Sequence, residues 1–341
     1  MPQLLATCGA LSERADSPYL NGMFRMAAGM IGLLSGLWRE SLKHFREAER
    51  IFSQECAGVA WELATVRTFS LWALVYYGGY AELCRLAPLW SQEGADRGDL
   101  FQAVSIDAGQ RPLCELVAGR PDAALHMLEE SLKRWTQRTY SVQLAIAVHA
   151  RTSIYLYQGE AVVAWEFLGR AWPGLKRNHY LRLSGIRQWL YSSRAQSALA
   201  LACTTADFAA LVRSAERDAR KLEGDGTLFA RALARLIRAG CAATRGGAGN
   251  AIALLERAVA DLDLADMAMI AAAARHRLGE LVGGEAGRVL MEQSELAMRA
   301  EGIVDPARIT AMFANGFSRS RQNEAHTSQP PAQHQFRSAA L

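Results

Sequence analysis

Glycine recurs at a nearly fixed interval along this 341-residue chain: Gly36, Gly78, Gly119 and Gly159 stand 42, 41 and 40 residues apart, Gly246 follows 87 later, and Gly284 closes the series after another 38. A period near 40 residues fits a pair of helices repeated head to tail. The clearest copy is Gly119-Arg-Pro-Asp-Ala-Ala-Leu-His-Met-Leu-Glu-Glu-Ser-Leu132. Gly119 ends one helix, and Pro121 opens the next at a position where its missing N–H costs nothing. Ala124, Leu125, Leu128 and Leu132 then form an apolar stripe at helical spacing. Six residues past the glycines stand Leu42, Cys84, Leu125, Trp165, Ile252 and Leu290, all apolar; twelve past stand Ala48, Trp90, Ser131, Ala171, Ala258 and Leu296, four of them small. Small residues on an inward face let two helices approach closely.

The expectation is an all-α protein, a right-handed superhelical solenoid of about seven antiparallel helix hairpins. Such an array escapes the size limit of a single core, because each unit packs only on its neighbours. The chain divides into a partial repeat or edge helix (1–16), the repeat domain (17–317) and a tail (318–341) rich in Ser, Gln, His, Arg and Pro that reads as disordered. A formal net charge of +4, half of it in the tail, is too small for nucleic-acid binding. Cys8, Cys56, Cys84, Cys114, Cys203 and Cys241 show no Cys-x-x-Cys spacing and read as reduced core residues, and the N-terminus has no export signal. The longest apolar run, Met26 to Trp38, is interrupted by Gly29, Gly32, Ser35 and Gly36 and is too short to span a membrane. Its glycines suggest close helix packing, and the location implied is cytoplasmic.

Taken in order, Leu4, Leu5, Cys8 and Leu11 share one face of a short helix that looks like a severed half-repeat with an incomplete apolar edge. Ser17-Pro18 opens the first full unit, and Pro88 is expected to kink or end the second helix of the next. Pro173-Gly174 reads as a firm stop to the fourth unit. The fifth, about Tyr180 to Leu222, is expected to have the longest helices and a glycine-free turn near Thr204-Thr205, with Asp207 as the cap. Gly246-Gly-Ala-Gly249 precedes a helix but lacks the Lys-Ser/Thr and the strand of a phosphate loop. Asp305-Pro306 caps a last short helix.

No catalytic, cofactor or metal site is expected. His126 with Glu129 and Glu130 has ligand-like spacing but falls on a solvated face, while His149 and His276 sit inside helices, without a sequence-near carboxylate or cysteine, as structural residues. The unusual stretch is Lys176 to Arg194, with five basic residues, three aromatics and no acid. Leu183, Ile186 and Leu190 form its packing face, and Tyr180, Ser184, Arg187, Tyr191 and Arg194 another stripe along the unit's first helix. First helices line the concave side of such superhelices, so this stripe is the candidate for gripping an acidic or phosphorylated partner. The competing expectation is that its arginines pair with carboxylates of neighbouring units.

Gly58-Val-Ala-Trp-Glu-Leu63, Gly119-Arg-Pro-Asp-Ala-Ala124, the Asp266-to-Gly284 stretch and the block from Asp305-Pro306 to Gly316-Phe317 resemble the C-terminal tetratricopeptide-like (TPR-like) repeat region of large bacterial, myxobacterial-type serine/threonine kinases. In that family a kinase domain and an NTPase domain precede the repeats. The resemblance covers about residues 17–317, and no kinase loop, His-Arg-Asp, Asp-Phe-Gly or Walker lysine is present, so it implies no kinase or ATPase activity. It implies a non-enzymatic interaction scaffold or regulatory module in kinase signalling, binding a protein or extended peptide, with an upstream kinase/NTPase module as a further partner. A small-ligand sensor domain is the alternative, marked by a dry apolar pocket.

Overall fold

The computed structural model describes residues 2–135 and 141–317; residues 136–140, the tail 318–341 expected to be disordered, and the Leu4 side chain lie outside the described residues. Among the described residues there is no strand. A single helix, α1 (Pro2–Arg14), is followed by α2 (Pro18–Ser35) and α3 (Trp38–Gln54), then α4 (Ala60–Tyr77) and α5 (Tyr80–Asp96). Next, α6 (Leu100–Gly109) and α7 (Arg111–Val117) together face α8 (Pro121–Arg134). The series continues with α9 (Val142–Gln158) and α10 (Ala161–Arg177), a 3₁₀ turn (Tyr180–Arg182), α11 (Ile186–Ala202) and α12 (Ala209–Glu223). It closes with α13 (Leu228–Thr244) and α14 (Ala248–Leu264), α15 (Ala268–Val282) and α16 (Gly284–Ala300), and α17 (Pro306–Phe313). Helices adjacent in sequence pack on one another throughout, the arrangement of an all-α repeat solenoid.

The repeat turns are where the glycines predicted them. Gly36, Gly78, Gly119, Gly159 and Gly246 adopt φ of 80, 89, 74, 81 and 80°, the left-handed region that other residues enter at a cost. The helix after each turn buries the residues five, nine and twelve positions on: Ser41, Phe45 and Ala48; Leu83, Ala87 and Trp90; Ala124, Leu128 and Ser131; Ala164, Leu168 and Ala171; Ala251, Leu255 and Ala258. The seam thus runs one residue earlier than the six-past positions suggested, and Cys84, Leu125, Trp165 and Ile252 flank it half-buried. Leu296 is an exception at 71% exposure, because Gly284 is the first residue of α16 rather than its turn, and Ser294 takes the buried place. The glycines of α2 do allow close packing: a Cβ at Gly22 would lie 2.5 Å from the Phe52 ring, and one at Gly29 2.6 Å from the Phe45 ring.

Several local expectations fail for identifiable reasons. Helix α10 runs through Pro173-Gly174 to Arg177, and α5 runs through Pro88 to Asp96. Both prolines face solvent, and the continuing turns bury Leu175 and Trp90 at the seam, which offsets the lost backbone bond. The break that does occur is at Pro112, which divides the third inner helix into α6 and α7. Asp207 is exposed and caps nothing, since α12 starts after Phe208 without a side-chain cap. The fifth unit does not have the longest helices, because α11 begins only at Ile186. The predicted caps elsewhere form: Ser17 Oγ accepts from the Leu20 N–H at 3.4 Å, and Asp305 Oδ1 from the Arg308 N–H at 3.0 Å.

The winding also returns on itself. Arg39 pairs with Asp266 at 2.8 Å across 227 residues, and the Ala81 N–H donates to Glu301 Oε2 at 3.0 Å across 220. Val304 N–H donates to the Val117 carbonyl at 2.9 Å, Phe229 reaches to 2.7 Å of where a Gly36 Cβ would stand, and Met269 N to 2.9 Å of a Gly78 Cβ. One continuous core therefore extends from Met26 to Phe317. Trp38 stacks on Tyr76 at 4.2 Å, Tyr76 leans on Trp189 at 4.8 Å, and Phe229 edges onto Trp38 at 5.1 Å, so aromatic side chains fill the interior.

These close approaches are testable. A Cβ at Gly240 would lie 2.3 Å from the Asn315 carbonyl oxygen, whereas one at Gly169, exposed within α10, would meet nothing within 4 Å. In thermal or urea melts, Gly240→Ala should destabilise by about 1–3 kcal/mol through overpacking. Gly169→Ala should stabilise by roughly 0.5–1 kcal/mol through helix propensity. Equal effects at the two sites would contradict this packing.

Candidate functional site

The stripe Tyr180, Ser184, Arg187, Tyr191 and Arg194 does not lie along one helix. Tyr180 is in the 3₁₀ turn, Ser184 in the bend after it, and α11 starts only after Gly185, whose φ of 84° breaks the helical path. Leu183, expected in the packing face, is 47% exposed, while Leu190 is fully buried. The remaining stripe residues turn toward α10, α12 and the turn beyond it. Arg187 Nε donates to Asp225 Oδ2 at 2.7 Å, and the same carboxylate, 3% exposed, accepts from Gln188 Nε2 at 2.9 Å and from the Thr227 hydroxyl at 3.2 Å. Gln188 Nε2 also donates to Ser184 Oγ at 3.1 Å.

Arg194 makes a two-pronged pair with Asp218, its Nε at 2.8 Å from Oδ2, and its guanidinium lies 3.6 Å from the centre of the Trp172 ring, which Tyr191 meets edge-on. Asp218 is 1% exposed, and burial raises its carboxyl pKa although the Arg194 hydrogen bond opposes the rise. Arg194 thus holds α11 to its own partner α12, and Arg187 holds it to the turn that leads into the next unit. Nothing within the stripe itself signals this, because both acids lie more than 20 residues downstream.

The interior offers little room. A void of about 30 Å³, lined among others by Trp72, His149, Ser153, Trp189, Met312 and Phe313, has space for about one water molecule. His149 Nδ1 lies 2.8 Å from Ser193 Oγ and its ring packs at 4.9 Å on Trp189. Burial pushes its pKa down to about 4, so the imidazole is neutral at physiological pH. Of the other histidine sets, Glu130 is engaged by Lys133 at 2.6 Å and Glu129 by Arg151 at 3.4 Å. His276 lies between Glu280 at 3.7 Å and Glu295 at 3.5 Å, so carboxylates do stand beside it, one of them only four residues along the sequence.

A larger concavity lies elsewhere. Between α1 and α2 an apolar groove of about 420 Å³ is lined by Leu5, Leu11, Leu20, Met23, Phe24 and Ile31, among others. Leu11 is 56% and Leu20 46% exposed. Gly9 admits the Phe24 ring to 3.0 Å of its would-be Cβ, which draws α1 onto α2 at one point and leaves the groove beside it. Arg25 lies 5.7 Å over the Phe24 ring, its Nε buried without a hydrogen-bond partner among the described residues, and Arg14 is exposed at the end of α1. The leucines of the edge helix marked this face in the sequence; on α2, Leu20, Met23 and Phe24 were not singled out, and Ile31 falls in a run read only for membrane length and glycine packing.

Arg194→Ala should destabilise the fold by about 3–5 kcal/mol, because it strands a buried carboxylate, and adding Asp218→Asn should recover part of the loss. Additive losses in denaturant titrations would contradict the pairing. For His149 the folded-state pKa lies below the unfolded value of 6.5, so the unfolded chain binds the extra proton. Its effect on stability is nil above pH 6.5 and grows as pH falls, reaching a penalty of about 3 kcal/mol near pH 4. Melts of wild type and His149→Gln across that window should differ by this slope, and parallel curves would show the ring to be solvated. Compared with protein-family models, with curated proteins and with solved structures, the chain matches none.

Proposed function

We propose that this chain is a non-enzymatic protein-interaction module, a right-handed superhelix of about seven TPR-like hairpins, that docks an acidic amphipathic helix of a partner protein in the α1–α2 groove. The observation that carries this reading is the exposed apolar groove, with Arg25 over the ring of Phe24 in its wall and Arg14 at the end of α1, while the interior is occupied by the chain's own side chains. Two or three large apolar side chains of a helix would seat between Leu11, Leu20 and Met23, with carboxylates on its flank meeting the two guanidinium groups. The partner expected to be acidic is thus placed at the edge rather than along Arg187 and Arg194, which have carboxylates already. The resemblance to kinase-associated repeats supports cytoplasmic serine/threonine kinase signalling as the setting. Among the described residues no helix is long and apolar enough to cross a membrane.

A second reading is a small-ligand sensor, favoured by the apolar lining and by a volume within the range of small-molecule sites. The two differ in what the arginines do. A fluorescent amphipathic peptide with leucines at helical spacing and flanking glutamates should bind the purified chain, and Leu20→Glu with Met23→Glu should weaken it at least tenfold. Arg25→Glu should weaken it several-fold, with an affinity that falls as salt rises. An apolar dye that binds while the peptide does not, or peptide affinity indifferent to all three substitutions, would reject the docking reading.

A further inference from the structure

Outer helix α12 departs from the charge pattern of other outer helices. On α3, α8 and α16, acids and bases pair three residues apart: Glu47 with Arg50, Glu130 with Lys133 and Glu285 with Arg288. On α12 the solvent face holds Arg213, Arg217, Arg220 and Lys221, all exposed, and among the described residues none of the four forms an ion pair. With about 100° of turn per residue, they fall within an arc of about 100°. The acids of the helix are engaged elsewhere. Asp218 is buried against Arg194, while Glu216 and Glu223 meet arginines of α13, Arg245 at 2.6 Å and Arg238 at 2.7 Å. Arg217 therefore has like charges four residues before it, three after and four after, an arrangement that costs helix stability. Helices α10 to α14 (161–264) also hold fifteen lysines and arginines against nine acids, whereas the rest of the chain holds twenty-three against twenty-five.

We propose that this face of α12 is a docking surface, separate from the α1–α2 groove, for an extended acidic segment of a partner protein with a carboxylate at every second position. Charge complementarity selects the acid, and the spacing suits an extended chain. Arg213, Arg217 and Lys221 stand about 6 Å apart along the axis, and alternate side chains of an extended segment recur about every 6.7 Å on one face. A flat anionic surface fits less well. The arginines of α13 are occupied by Glu216, Glu223 and Asp261, and α14, the next outer helix, presents exposed Glu256 and Asp263, which would repel phosphates. Helix α12 exposes no large apolar side chain, so the contact is electrostatic: it forms fast, is weak and is screened by salt. Docked carboxylates also relieve the repulsion around Arg217.

The test measures binding of a fluorescein-labelled glutamate–serine repeat peptide to the full chain by fluorescence anisotropy. Binding in low salt, a loss of at least tenfold as sodium chloride rises from about 50 to about 300 mM, and no binding of the matching glutamine–serine peptide are the expected results. Arg213→Glu with Lys221→Glu should weaken binding at least tenfold at an unchanged Tm, since exposed charges contribute little to stability. Arg217→Glu, which places opposite charges at helical spacing, should weaken it several-fold and melt no lower than the wild type. Arg213→Lys with Arg217→Lys keeps the charge and should bind as the wild type does. So should Leu20→Glu with Met23→Glu, which separates this surface from the groove. Equal affinity of the α12 glutamate variants, a lower Tm for any of them, loss of binding in the groove variant, or tighter binding of duplex DNA or phosphatidylserine vesicles through the same residues would overturn the proposal.

Discussion

The inner helices of this protein have almost no solvent side, and the rest of the architecture follows from that constraint. In α15 the run from Met269 to Ala274 is buried residue by residue, and α13 buries Phe229, Ala230, Ala232, Leu233, Ala234, Leu236 and Ile237. A helix covered on every face must be apolar all round and must be small wherever two neighbours approach at once, hence the alanines. The outer helices face water on one side and carry only the narrow stripe set by their distance from the turn. Glycine turns fix that distance. A shift of one residue in any turn would rotate the following stripe by about 100° and expose it.

Polar groups trapped by the same geometry are mostly paired between units. Arg67, 10% exposed, joins Glu49 at 3.0 Å and Glu93 while lying over the Trp90 ring. Asp107 gathers Ser91, Arg111 and Arg134, and Asp218 and Asp225 take Arg194 and Arg187. Arg67 and Asp107 each reach the preceding helix pair, Arg187 reaches the turn into the next and Arg194 its own partner helix α12, so they set register where the apolar contacts are least specific. Among the described residues Arg25, Trp38, Tyr157, Trp189, His276 and Thr310 each bury one polar atom without a hydrogen-bond partner, and Gln110 buries two: at the break between α6 and α7 its amide oxygen and nitrogen both lack one. Orphaned groups of this kind cost about 1–3 kcal/mol each, which makes the α6–α7 break the weakest polar point of the core.

Much of the fold was legible because its signals are local. A glycine at positive φ, a proline one turn into a helix and a serine or aspartate at a cap act within a few residues, so the 40-residue period, the turns after Gly119 and Gly246 and the caps at Ser17 and Asp305 could be read directly. Pro88 and Pro173 misled because propensity was weighed without the buried residues that follow each of them. The site was less legible. The return of Phe229 and Met269 to the Gly36 and Gly78 turns, and of Asp266 and Glu301 to Arg39 and Ala81, joins residues 191 to 227 positions apart and leaves no local mark. One sign was available: a stretch as apolar all round as Met267 to Ala274 cannot line an open groove. A basic stripe on α11 therefore had to find its acids inside the protein.

Closure of the interior decides where a partner can act. With the inner surface occupied, only the outer helices and the edges remain. The outer helices carry short-range pairs such as Glu40 with Lys43, Glu47 with Arg50 and Glu285 with Arg288, which water and salt screen, with single apolar residues such as Leu89 and Leu296 between them. Binding energy comes chiefly from apolar burial around a few anchors, so such a surface offers weak purchase. At the α1 edge the packing is incomplete, and Leu11, Leu20 and their neighbours remain partly in water. The interior winding thus removes the concave face as a binding surface, and at the α1 edge exposed leucines line a groove rather than standing singly on a helix face.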